Sequence, residues 1–172
     1  MPAVTPSGID PQGRTLASCS YAATAGEAAF RLDYPLAPSR GVRVVALDAG
    51  AVRVISAAAQ EQWASARFLV CEATSLHPAD LVLRGLGGAE TSLEEQLMDA
   101  DVIMMVATDD TAAAGAHQLG RAGWERSIVT AGLVVGGLEA PEVVAALRPH
   151  SRVLLPAADD SDVVDLLTAL RA

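Results

Sequence analysis

Lysine and asparagine are both missing from this chain, and all twelve of its basic residues are arginine. Without lysine there is no Schiff-base amine and no P-loop, whose lysine reaches the terminal phosphates of a bound nucleotide. Histidine is scarce: His77, His117 and His150 stand far apart and form no HExxH pair. Cys19 and Cys71 are the only cysteines and form no CxxC pair, so both read first as small buried apolar residues. Aromatic residues make up only 3% of the chain, the net charge is −9, and no basic run occurs. A nucleic-acid groove needs the opposite balance, so nucleic acid is not an expected partner.

Other signatures are missing too. No apolar stretch approaches the roughly 20 residues that span a bilayer, so no membrane partner is expected. The opening MPAVTPSGIDPQGR lacks the basic start and apolar block of a secretory signal, and a cytoplasmic protein is the expectation. No strand is followed by GxGxxG, and no GxSxG elbow supports an α/β-hydrolase.

What is present is apolar. Hydrophobic residues make up 51% of the 172 positions, enough for one domain with a proper core. Residues 1–13, rich in Pro, Gly and Ser, read as a flexible N-terminal arm, and 14–172 as a single α/β domain. Strand-like runs at 14–20, 41–48, 66–73, 101–108, 127–137 and 151–157 alternate with helical spacing at 23–32, 51–66, 111–122, 140–150 and 161–172. LVLRG (81–85) reads as a short strand or extended loop. GLGGAETSLEEQLMDA (85–100) reads as a glycine-rich turn opening a helix capped by Thr91 or Ser92, with Glu94 and Glu95 in its first turn. Continuous apolar strands separated by helices predict a three-layer, doubly wound, mostly parallel, Rossmann-like sheet.

In such sheets ligands bind at the carboxyl ends of the strands, where helix N-termini suit an anion. The stretch 101–120 marks that place: the apolar run Val102 to Ala107 ends at Thr108-Asp109-Asp110-Thr111, and a helix follows. Asp109 and Asp110 have two readings, as Mg²⁺ ligands at a phosphate site or as helix caps. Asp48, at the tip of the 41–48 strand, either reaches a ribose hydroxyl or merely ends the strand. GLGG (85–88) is the dense glycine loop, suited either to close approach by a phosphate or to a simple turn.

In order and spacing, the segments from about 41 to 172 resemble the nucleotide-binding domain of the FtsZ/tubulin family. In that family a strand of the type FIAVNTD leads to a GLGAGA loop and a helix. A strand of the type ADMVFVTAG, a GGGTGTG phosphate loop, a helix, a VGVVT strand and a segment of the type LR-x-x-x-D-x-L-I-V-I-P then follow. The counterparts here are VVALDAG (44–50), RGLGGAE (84–90), ADVIMMVATDDTAAAGAHQLGRAG (100–123), SIVTAGLVVGG (127–137) and LRPHSRVLLPAADD (147–160). The resemblance implies GTP or GDP with Mg²⁺ as ligand. The implied partners are copies of this chain or a larger protein.

The departures from the family are specific. Its first phosphate loop, GGGGxN, would fall near SYAATAGEAA (20–29), where only Gly26 is present and no asparagine can contact a guanine. The GGGTGTG position reads DDTAAAG, so only Thr111 and Gly115 correspond, and two aspartates there repel a polyphosphate unless a cation intervenes. With the sequence ending at the helix after LLPA, the downstream catalytic loop and second domain are expected to be missing. The expectation is therefore a degenerate relative without ordinary GTPase activity. Its ligand-facing residues would be Gly26, Asp48, Gly87, Gly88, Thr108, Asp109, Asp110, Thr111 and Gly115, with no catalytic residue or metal ligand assigned.

Three readings follow. The chain binds a nucleotide or another phospholigand (dinucleotide, CoA or FMN), or it is a non-catalytic assembly or regulatory module that has lost the ligand. The third is an enzyme or accessory subunit on a generic Rossmann-like scaffold, using Cys71 or the Asp109/Asp110 pair.

Overall fold

The computed structural model describes residues 40–73, 75–77, 81–136 and 140–172. The arm expected at 1–13, the strand at 14–20, the helix at 23–32, Cys19 and Gly26 lie outside them.

Apolar, β-branched runs make the central strands. Strand β1 (Val42–Ala46) and the strand at Val102–Ala107 are buried at every position, as expected for parallel strands covered on both faces. Helix α1 (Ala49–Ala58) follows β1 and starts at Asp48, whose side chain caps it. It ends well short of residue 66. The indole N–H of Trp63 turns back to donate to the Ala58 carbonyl at 2.9 Å, satisfying a terminal acceptor of the helix.

Strand β2 (Ala66–Ala73) runs parallel to β1, then β3 (Leu81–Gly85) returns antiparallel beside it and a two-residue β4 (Glu90–Thr91) pairs with β3. The glycine-rich stretch is thus the turn of a hairpin and does not open a helix. Helix α2 is confined to Leu93–Leu97, with Ser92 accepting from the Glu95 N–H at 3.1 Å and Glu94 and Glu95 in its first turn.

Val102–Ala107 is β5. A 3₁₀ turn (Asp110–Ala112) leads into α3 (Ala113–Glu125), followed by β6 (Val129–Val135), α4 (Pro141–Leu147), β7 (Val153–Ala158) and α5 (Asp160–Leu170). Pro141 occupies the first turn of α4, where its missing N–H costs nothing. Asp159 and Asp162 form a capping box on α5.

The seven described strands lie in the order β4-β3-β2-β1-β5-β6-β7. The five parallel ones, numbered among themselves, follow the 2-1-3-4-5 order of one common doubly wound class. Period-two alternation sorts their side chains into two apolar layers. Val44, Val102 and Met104 pack with Ile55 of α1 and Leu167 of α5. Val45, Ile103 and Met105 pack on the other face with Leu119 of α3 and Leu147 of α4. The expected three-layer α/β architecture is present.

Two details were not foreseen. Arg43 sits inside β1 at only 1% exposure. Its Nε donates to the Gln96 carbonyl at 2.8 Å and its Nη2 pairs with Asp99, whose side chain is 60% exposed. The stem is buried while the charge meets a partner near the surface, which keeps the desolvation cost tolerable. At the opposite margin from β4, β7 has β6 as its only neighbour among the described residues. Pro156 lies in β7, and its pairing with β6 carries a register shift between Leu133 and Val135.

Candidate functional site at the carboxyl edge of the sheet

The chain order reverses between β1 and β5, so the crevice beyond their carboxyl ends is where this architecture places a ligand. Asp48 leaves β1 here and Thr108 leaves β5. The structure joins them directly, although they are sixty positions apart. Asp48 Oδ1 accepts from the Ala51 N–H at 2.7 Å and from the Thr108 hydroxyl at 2.6 Å. Its Oδ2 accepts from the Thr108 N–H at 2.6 Å and, more weakly, from the Asp109 N–H at 3.4 Å. The donors are a first-turn N–H of α1 and the two N–H groups that follow β5. These are the kind of groups a bound anion uses at a helix N-terminus. Here a carboxylate of the chain itself holds them.

The neighbouring aspartates are engaged in the same way. Asp109 caps the 3₁₀ turn, accepting from the Thr111 N–H at 2.8 Å and also from the Thr111 hydroxyl. Asp110 reaches another element: its Oδ1 accepts from the N–H groups of Glu142 and Val143, at 2.8 and 3.0 Å, in the first turn of α4. Of the two readings of this pair, the geometry displays helix capping.

The other expected residues divide. Gly115 is buried in α3, where an added Cβ would lie 3.3 Å from Cys71 Sγ and 3.5 Å from Leu47 Cδ2. Its place is thus a close helix–sheet contact. Gly87 and Gly88 are not brought to this edge. β3 starts with Leu81 opposite Ala73 and ends with Gly85 opposite Leu69, so their turn points back toward the amino ends of the parallel strands. Gly88 is there for its positive φ of 84°. Gly26 lies outside the described residues.

Two residues of this edge escaped the sequence reading. Gly50 lets α1 approach β5, since a Cβ there would fall 2.0 Å from Thr108 Oγ1. Arg53, one turn further along α1, lines a shallow groove of about 430 Å³ with Gly50, Thr108, Val135, Gly136 and Asp160. It has no ion pair or hydrogen bond among the described residues. Both positions follow an apolar strand at the spacing of a first helical turn, the one sequence signal that pointed to them.

Cys71 faces the α3 layer, and burial, aided by the negative charge of Glu72, pushes its thiol up from 9.0 to about 12. A thiol held protonated at neutral pH is a poor nucleophile. Among the described residues, no three His, Cys, Asp or Glu side chains are grouped to hold a metal ion, and no helix is long and apolar enough to cross a membrane.

Fold and switch-point geometry place the chain in the Rossmann-like, doubly wound α/β class. No protein-family model, no curated protein and no solved structure matches it.

Proposed function

We propose that this chain is a degenerate, FtsZ/tubulin-like member of the Rossmann-like class. In this reading it acts in the cytoplasm as a non-catalytic assembly or regulatory module, alone in several copies or with a larger protein. The observation that carries the proposal is the Asp48 carboxylate, which accepts from Ala51, Thr108 and Asp109 where an external anion would otherwise be held. The carboxylates of Asp48, Asp109, Asp110 and Asp160 crowd one edge, and that field opposes a polyphosphate. Among the described residues no nucleophile–base pair accompanies them, and burial pushes the Cys71 thiol pKa up. The high apolar content inherited from the sequence is consistent with a surface that meets protein.

Thermal unfolding with GTP, GDP, ATP, NAD, CoA and FMN, each with Mg²⁺, tests this reading. No ligand is expected to raise Tm. A ligand present at a hundredfold its Kd would contribute about 2.7 kcal/mol, or a rise of about 5 °C or more in a domain of this size. Such a rise would overturn the proposal. Light scattering and native mass spectrometry test the assembly half: oligomers or a retained partner are expected, and a bare monomer contradicts it.

One observation favours a second reading, a phospholigand site in the groove of Gly50, Arg53, Thr108, Gly136 and Asp160. Arg53 is a cation without a partner among the described residues, beside a helix start, and the volume falls within the small-molecule range of about 300–1,000 Å³. Arg53→Ala separates the two readings, because a shift that depends on Arg53 belongs to this groove.

A further inference from the structure

The side chains of His117 and His150 meet away from the carboxyl-edge site. His117 lies on α3, and His150 lies in the turn between α4 and β7. Their ring centroids are 5.3 Å apart and the planes are inclined by 66°. The Nε2 atom of His150 is buried and has no hydrogen-bond partner among the described residues. A buried ring nitrogen without a partner is costly, and native structures rarely leave one unexplained. The backbone around it is fixed. The His150 N–H donates to the Leu147 carbonyl at 3.0 Å, and the Thr130 hydroxyl donates to the His150 carbonyl. Gly120, one turn along α3 from His117, makes room for the ring: a Cβ there would lie 2.8 Å from His150 Cβ.

We propose that His117 and His150 form a two-histidine site for a divalent transition-metal ion, Zn²⁺ or Ni²⁺, clamping α3 to the turn that follows α4. The separation fits. Two imidazoles bound to one tetrahedral ion at Zn–N distances of about 2.0–2.1 Å hold their ring centroids about 5 Å apart. With two protein ligands, water completes the coordination, so the site is open and of modest affinity. The charges around the pair permit it. Arg121 faces it from α3, but its Nε is engaged by Glu125 at 2.8 Å. Arg152 lines a groove with His150, Trp124 and Thr130. Burial, with His117 and Arg121 as lesser causes, lowers the His150 pKa below 6.5. This site is independent of the assembly reading.

The test is zinc binding to the full chain in a Cys19→Ser background, which removes the thiol outside the described residues. Equilibrium dialysis is expected to give one Zn²⁺ per chain, and ZnCl₂ is expected to raise Tm. His117→Ala and His150→Ala are each expected to weaken binding by about tenfold or more, at least the cost of losing a mere outer-shell partner. His77→Ala is expected to leave it unchanged. His117→Ala alters a half-buried helix position and keeps the experiment decisive even where His150→Ala is poorly folded. Absence of zinc binding overturns the proposal. So does binding that survives His117→Ala, or binding that is lost in His77→Ala.

Discussion

Glycine inside a helix is ordinarily a weak point, and replacing it with alanine gains up to about 1 kcal/mol. At Gly50 the sign reverses. The new Cβ would stand 2.0 Å from Thr108 Oγ1 and 3.0 Å from Thr108 Cβ, and Thr108 cannot retreat because Asp48 holds both its N–H and its hydroxyl. Gly50→Ala is expected to destabilise the fold by about 1–3 kcal/mol, the usual cost of overpacking. Thr108→Ala in the same chain should relieve part of the clash, so the double variant costs less than the sum of the singles. Urea denaturation of the four proteins measures this coupling. His150 allows a second residue-scale prediction. Its folded pKa is lowered, by burial first and then by His117 and Arg121, so the unfolded chain binds the proton more readily. Stability from the neutral ring is complete above the unfolded value of 6.5 and is lost as pH falls through the lower folded value. In EDTA, the urea midpoint of the wild type should fall more steeply between pH 7 and 5 than that of His150→Gln.

Helix α4 depends on its neighbours. It has seven residues, too few to persist alone, and its own N-cap residue, Ala140, supplies no side-chain bond. The cap comes from Asp110, thirty-two positions earlier. Asp110→Ala is expected to cost about 1 kcal/mol. It should also speed amide exchange in α4 without affecting α5, which carries its own capping box. Hydrogen-exchange mass spectrometry checks both parts, and equal acceleration of the two helices would contradict the argument. The central strands and α5 were legible in the sequence because period-two and period-3.6 apolar patterns survive any tertiary context. The length of α2 was not. Gly87-Gly88 announces a turn, but a turn carries no record of whether the chain next enters a helix or folds back as a strand.

At the scale of the molecule, one edge of the sheet gathers the features that define the candidate site, and aspartates hold the N–H groups there. Each carboxylate replaces water or a ligand at a helix N-terminus, so the edge is internally satisfied. That arrangement is the reason for expecting no nucleotide stabilisation and for looking to protein surfaces. β7, which has no outer neighbour among the described residues, carries Pro156 and is a poor template for strand addition, so assembly is expected to use helical or loop surfaces.

Composition and periodicity by themselves determined the α/β class, the parallel core strands and the exclusion of lysine-dependent chemistry, because these depend on residue identity and local spacing alone. They also placed Asp48, Thr108, Asp109 and Asp110 at strand ends. Only the tertiary structure decided what these residues do. Whether an aspartate caps its own helix, a distant helix or an external ion depends on which N–H groups lie within 3 Å of it, and here those belong to segments up to sixty residues away. Local sequence specifies the donors and acceptors, and long-range packing selects their partners.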